Sequence, residues 1–178
     1  WQFVNEAAKK IARSHPEAKV VCEAYATYQQ PPQTIDKFAS NVMVQISNGR
    51  PRWTLDEDQH ERRRKLREGW LAKTSQKLML NNKIRTPVRP AYLPHVMARG
   101  LRDSASDVFR ERLAMSQNRG LARPATNHLT AYVISRFWWD HKQDVEALLN
   151  EYYSNFYGPA AEEMKTFIEH CEANFTNV

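Results

Sequence analysis

The chain has 178 residues, 42% of them hydrophobic, which is enough for one domain with a buried core. Its five glycines argue against a low-complexity tract, and no run of eighteen apolar residues offers a membrane-spanning helix. A net charge of +6 keeps a polyanionic partner open, while two cysteines, Cys22 and Cys171, match no metal-ligand spacing.

The chain opens inside an amphipathic pattern, WQFVNEAAKKIARSHP, with Phe3, Ala7 and Ile11 on one side; this helix is expected to end at His15-Pro16. With neither an initiator methionine nor a signal peptide, the opening reads as cut from a longer protein. KVVCEAYATY follows as a strand, with Cys22 a buried thiol. QQPPQTIDKFAS is a loop. NVMVQIS, Asn41 to Ser47, is a second strand, so apolar that it suits a parallel sheet covered on both faces. After the loop NGRPRW, Thr54 and Glu57 have capping-box spacing before a long charged helix that turns Leu66 and Trp70 inward. Its run HERRRKLREGW reads as a solvated helix face or as a phosphate contact.

KLMLNNKI is a third strand. AYLPHVMARGLRDSA is a helix or helix-like turn interrupted by Pro94. DVFRERLAM stays open between a fourth strand and a helical continuation. NHLTAYVISRFWWD is a helix with Leu129, Tyr132, Val133 and Phe137 inward. Asp140 or Asp144 can cap the next helix, whose stripe is Val145, Leu148, Leu149, Tyr152 and Phe156. Gly158 suits a left-handed stop and Pro159 the first turn of a last helix, so the chain closes in a helical hairpin. Trp138 or Trp139, and Tyr152 or Tyr153, are expected to be buried between these helices.

Strands alternating with helices predict an α/β fold with a parallel sheet of three or four strands, ordered as in the sequence. That fits half of a barrel with helices outside, since a full barrel takes about 250 residues. A small open sheet is the alternative. No glycine-rich loop follows a strand, which weakens a nucleotide-binding reading.

Several phrases share one likeness. EAYATYQQPP precedes NVMVQIS, Trp70 lies in the next helix, and WWDHKQDVEALLNEYYSNFYGPAAEEM closes the chain. This set resembles a bacterial domain-of-unknown-function family that forms the C-terminal half of glycoside-hydrolase-like TIM barrels, similar to alpha-glucuronidases and hexosaminidases. The resemblance implies a half (β/α) barrel over residues 1–125 and a helical cap over 126–178. It also implies an extracytoplasmic (secreted or periplasmic) protein, no cofactor, and the remainder of the barrel as partner, carrying a key acidic residue. The middle of the chain departs from the family, with Gln45 where an arginine is common, Asn81 to Lys83 in place of an aromatic-acidic phrase, and FRERL near the fourth strand.

Barrel sites lie at the C-terminal ends of strands. That selects Tyr25, Tyr28 and Gln29 after the first strand, and Gln45, Ser47 and Asn48 after the second, with Trp53 in the loop. After the third it selects Asn81, Asn82 and Arg85. Sugars need polar fingers and a flat apolar platform, which Trp53 supplies unless it packs on its own loop. Glu23, the one acid inside the first strand, is the catalytic candidate or else a structural ion pair. Glu111 is a weaker candidate. His95 and His128 lack a paired nucleophile or ligand spacing and read as satisfied helix residues.

The leading expectation is part of a carbohydrate-active enzyme acting on O-glycosidic bonds, with carbohydrate as ligand and no metal, nucleic acid or membrane span. A non-catalytic carbohydrate-binding relative and a basic polyanion-binding module are the alternatives. Because hydrolysis takes two carboxyl groups across one pocket, these residues alone are expected to be inactive.

Overall fold

Helix α1 (Gln2–Ser14) and strand β1 (Val20–Ala24) form where an amphipathic stretch gives way to a Val-rich one. Pro16 disfavours helical backbone at His15 and so separates them. The computed structural model describes residues 1–48, 56–84, 92–115 and 124–175. Beyond a single 3₁₀ turn (Ala26–Tyr28) come β2 (Val42–Asn48), α2 (Glu57–Leu71), β3 (Leu78–Ile84), α3 (Pro94–Ser104) and β4 (Val108–Met115). Helices α4 (Pro124–Trp139), α5 (Val145–Tyr157) and α6 (Ala161–Ala173) complete the order. The ambiguous DVFRERLAM stretch is therefore a strand, and Pro94 begins a helix instead of interrupting one. At the first helical position its missing N–H costs no hydrogen bond.

The chain divides into two compact units. The first holds α1, α2 and a sheet in the order β1-β2-β3-β4. Strands β1 and β2 pair parallel from Val20↔Val42 to Ala24↔Ile46, and β2 and β3 pair parallel from Gln45↔Met79 to Asn48↔Asn82. The start of β4 is held by Leu78 N–H donating to Asp107 O (3.0 Å) and by the Arg67–Asp107 ion pair (3.2 Å).

Alternation gives each strand two faces. Ala24, Val42, Val44, Ile46, Leu78 and Leu80 form one, and they are buried with Ala8 of α1 and with Leu66 and Trp70 of α2. Trp70 is wholly buried, edge-on to Trp1 at 4.8 Å, and donates its Nε1–H to Gln29 O (2.9 Å). The opposite face carries Val21, Glu23, Met43, Gln45, Ser47, Met79 and Asn81. Val21 and Glu23 are exposed there and Gln45 is half-buried. The second face of β2 is covered too, with Met43 and Gln45 half-buried and Ser47 buried, although Gln45 and Ser47 make it polar. The helix cap differs from expectation. Asp56 accepts from the N–H groups of Asp58 (3.0 Å) and Gln59 (3.2 Å), two residues beyond Thr54, which lies outside the described residues.

The second unit contains α3 to α6. Leu129, Val133 and Phe137 of α4 are buried, as are Leu148, Leu149, Tyr152 and Tyr153 of α5 and Ile168 of α6. Asp144 caps α5 through the N–H groups of Glu146 and Ala147, and Gly158 at φ 54° turns the chain toward α6. The tyrosine expectation is met, but the tryptophan one is not: Trp138 is 46% and Trp139 92% exposed. Phe137 takes the inward position, and each further residue rotates roughly 100° around the helix.

Candidate functional site

The polar face of β1 to β3 brings together several of the residues singled out by position, although Gln45 and Asn81 sit in the middle of β2 and β3 and not at their C-terminal ends. Register puts Glu23 beside Gln45, and Ser47 beside Asn81, all on the polar face. Neighbouring strands lie about 4.8 Å apart, so β1 and β3 are roughly 10 Å apart across β2. A glutamate and an asparagine can bridge that gap, and they do: Asn81 Nδ2 donates to Glu23 Oε1 at 2.9 Å. Asn81 and Ser47 are buried, whereas Glu23 is exposed. The amide oxygen of Asn81 is buried with no hydrogen-bond partner. A buried acceptor left unpaired costs roughly 1–3 kcal/mol, so this atom has capacity for an incoming donor.

Beyond β1 the chain turns sharply. Ala26 adopts φ 49°, a left-handed conformation that costs a non-glycine residue on the order of 1–3 kcal/mol. The turn leaves Tyr25 and Tyr28 about half exposed. Gln29 holds it in place. Its Nε2 donates to Ser47 O (2.7 Å), its Oε1 accepts from Arg63 (3.1 Å), and its carbonyl accepts from Trp70. One side chain thus ties the β1 exit to the end of β2 and to α2. Sequence reading placed Gln29 among contact residues and Arg63 in a basic patch; their bracing role emerges only from the fold.

The rest of the basic run is also engaged. Arg64 pairs with Glu61 and with Glu68, Lys65 with Glu61 (3.5 Å), and Arg67 with Asp107. The Arg64 hydrogen bond holds the Glu61 carboxyl down at about 2, and burial lowers Arg63 to about 10. These pairings favour the solvated-face reading over a continuous cationic patch.

Asn48 ends β2 opposite Asn82, but its side chain lies outside the described residues, as do those of Asn82 and Glu111. Trp53 and Arg85 lie outside them altogether. Cys22 is half-buried, its thiol pushed up to about 11 by burial. Among the described residues no group of three or more His, Cys, Asp or Glu could hold a metal ion, and no helix is long and apolar enough to cross a membrane.

Both histidines join helices in the second unit. His95 lies between Glu172 (2.5 Å from Nδ1) and Glu146 (2.8 Å from Nε2), and its hydrogen bond to Glu172 raises it to about 9. His128 contacts the Tyr152 hydroxyl and stacks on Phe156 at 4.7 Å. The tyrosines of the closing segment are therefore packing between α4 and α5, while Trp138 and Trp139 stay exposed.

Residues 1–169 match the profile of the domain of unknown function DUF4838, and the chain belongs to that family. No curated protein and no solved structure matches it.

Proposed function

We propose that this member of the DUF4838 family is the carbohydrate-binding part of a glycoside-hydrolase-like protein, its sheet forming one section of a (β/α) barrel. The polar face of β1 to β3 receives the sugar. The observation that carries this reading is the Glu23–Asn81 pair with its unsatisfied Asn81 amide oxygen. Glu23 accepts from one sugar hydroxyl and the Asn81 oxygen from another, while Tyr25 and Tyr28 offer apolar faces at the rim. Three parallel strands in sequence order, with α1 and α2 packed on their apolar face, support the barrel section.

Cleaving a glycosidic bond takes two carboxyl groups roughly 5–10 Å apart. On the described polar face of β1 to β3 the carboxylate is Glu23; the other polar groups are Gln45, Ser47 and Asn81. These residues therefore bind a poly- or oligosaccharide, and hydrolysis waits on a second carboxylate from elsewhere in the protein. The test is calorimetric titration with oligosaccharides and glucuronides, together with turnover assays on aryl glycosides and aryl glucuronides. Asn81→Ala should weaken binding at least about tenfold, worth about 1.4 kcal/mol, without unfolding the chain. Sugar affinity unchanged in both Asn81→Ala and Glu23→Gln would refute the site. Turnover by these residues that vanishes in Glu23→Gln would refute the division of the chemistry.

A further inference from the structure

We propose that Glu23 makes the polar face select uncharged sugars and reject uronates. The proposal rests on the sugar-binding reading above and adds the charge of the ligand to it. A carboxylate has no proton to donate, so the amide of Asn81 turns its Nδ2–H to Glu23, at 2.9 Å. That hydrogen bond fixes the amide with its oxygen turned away, and the same oxygen is the buried atom without a partner. Asn81 is only 7% exposed, so this acceptor is set into the sheet. The pair therefore offers a sugar two acceptors, the amide oxygen and the exposed carboxylate. Sugar hydroxyls donate to both. The carboxylate of a uronic acid donates to neither and brings a second negative charge.

Among the described residues no cation on this face offsets that charge. Gln45 and Ser47 are neutral, and Met79 pairs with Gln45 on the far side from Glu23. Lys77 lies four residues before Asn81, roughly 13 Å along the strand direction. Arg63 comes from α2, whose Leu66 and Trp70 pack on the apolar face, and its guanidinium donates to Gln29 Oε1. Neighbouring strands are about 4.8 Å apart, so a sugar lying across β1 to β3 keeps any carboxylate within roughly 10 Å of Glu23. That is close to the Debye length of about 8 Å at physiological salt, and ions screen the repulsion only in part. Selectivity of this kind comes from a repulsive element set against the wrong ligand, not from added contacts to the right one.

The experiment pairs sugars that differ only at the sixth carbon. Tetramers of glucose, galactose and mannose, and matching tetramers of their uronic acids, are titrated calorimetrically into the full chain. The expected result is a neutral tetramer bound at least about tenfold more tightly than its uronate. The gap should narrow as salt rises from about 0.05 to about 0.5 M, because the repulsion is screened. Glu23→Gln keeps an acceptor for Asn81 Nδ2 and removes the charge. It should tighten uronate binding at least about fivefold while neutral binding weakens. Damage to the fold would weaken both ligands, so affinities moving in opposite directions identify charge as the cause.

Uronates bound as tightly as their neutral partners overturn the proposal and leave the site standing. So does a gap unmoved by Glu23→Gln or by salt. If no tetramer of either kind binds, the sugar-binding reading itself fails and the selectivity falls with it.

Discussion

His95 ties three helices together and should make the fold sensitive to pH. The Glu172 side chain, only 11% exposed on α6, accepts from His95 and also from Val96 N–H (3.0 Å). That second bond satisfies an orphan donor at the start of α3, where Leu93 provides no side-chain cap. Glu146 on α5 holds the other ring nitrogen. A histidine raised from 6.5 to about 9 binds its proton more tightly in the folded chain than in the unfolded one. Its contribution is therefore complete below pH 6.5 and is lost as pH rises through about 9. At about 1.36 kcal/mol per pH unit the ceiling is roughly 3.4 kcal/mol. The ring is 34% exposed, so solvent screening brings the expected contribution to about 1–2 kcal/mol.

Urea unfolding between pH 6 and pH 9 would measure it. The two thiols, Cys22 and Cys171, are raised by burial and also weaken the fold at alkaline pH. The informative quantity is thus the difference between wild type and Glu172→Gln. That variant should cost about 1–2 kcal/mol at pH 6 and progressively less toward pH 9. A difference that stays flat across this window would refute the argument.

Two further substitutions test the packing. Trp70→Ala should lose about 3–5 kcal/mol in chemical unfolding, because a wholly buried side chain and its bond to Gln29 go together, whereas Trp139→Ala should stay within about 0.5 kcal/mol. Equal costs for the two would contradict the assignment of inward and outward faces. Asp144→Ala should cost about 1 kcal/mol through loss of the α5 cap, and Asp144→Asn should restore most of it; a melting temperature unmoved by either change would count against the cap.

Much of the fold could be read from local pattern. The Val-rich runs at Val20 and Val42 became parallel strands, Leu66 and Trp70 turned inward, and Tyr157-Gly158-Pro159 made the hairpin turn. Each depends on spacing or backbone preference within a few residues, which a sequence displays directly. Adjacent choices were less legible. Trp138 and Trp139 look as apolar as Phe137, yet only one residue in such a triplet can face inward, and the neighbouring helices select which.

For the candidate site, the sequence by itself determined that Glu23 is the one acid of the first strand and that Gln45 and Asn81 belong to the second and third. Only the tertiary structure decided that Glu23 meets Asn81, 58 positions away, across an intervening strand. Only it decided that Arg63 braces Gln29, and that Glu172 caps a helix begun 78 residues earlier at Pro94. These partners are chosen by register and helix placement, which arise when the whole chain packs at once; no local spacing encodes them.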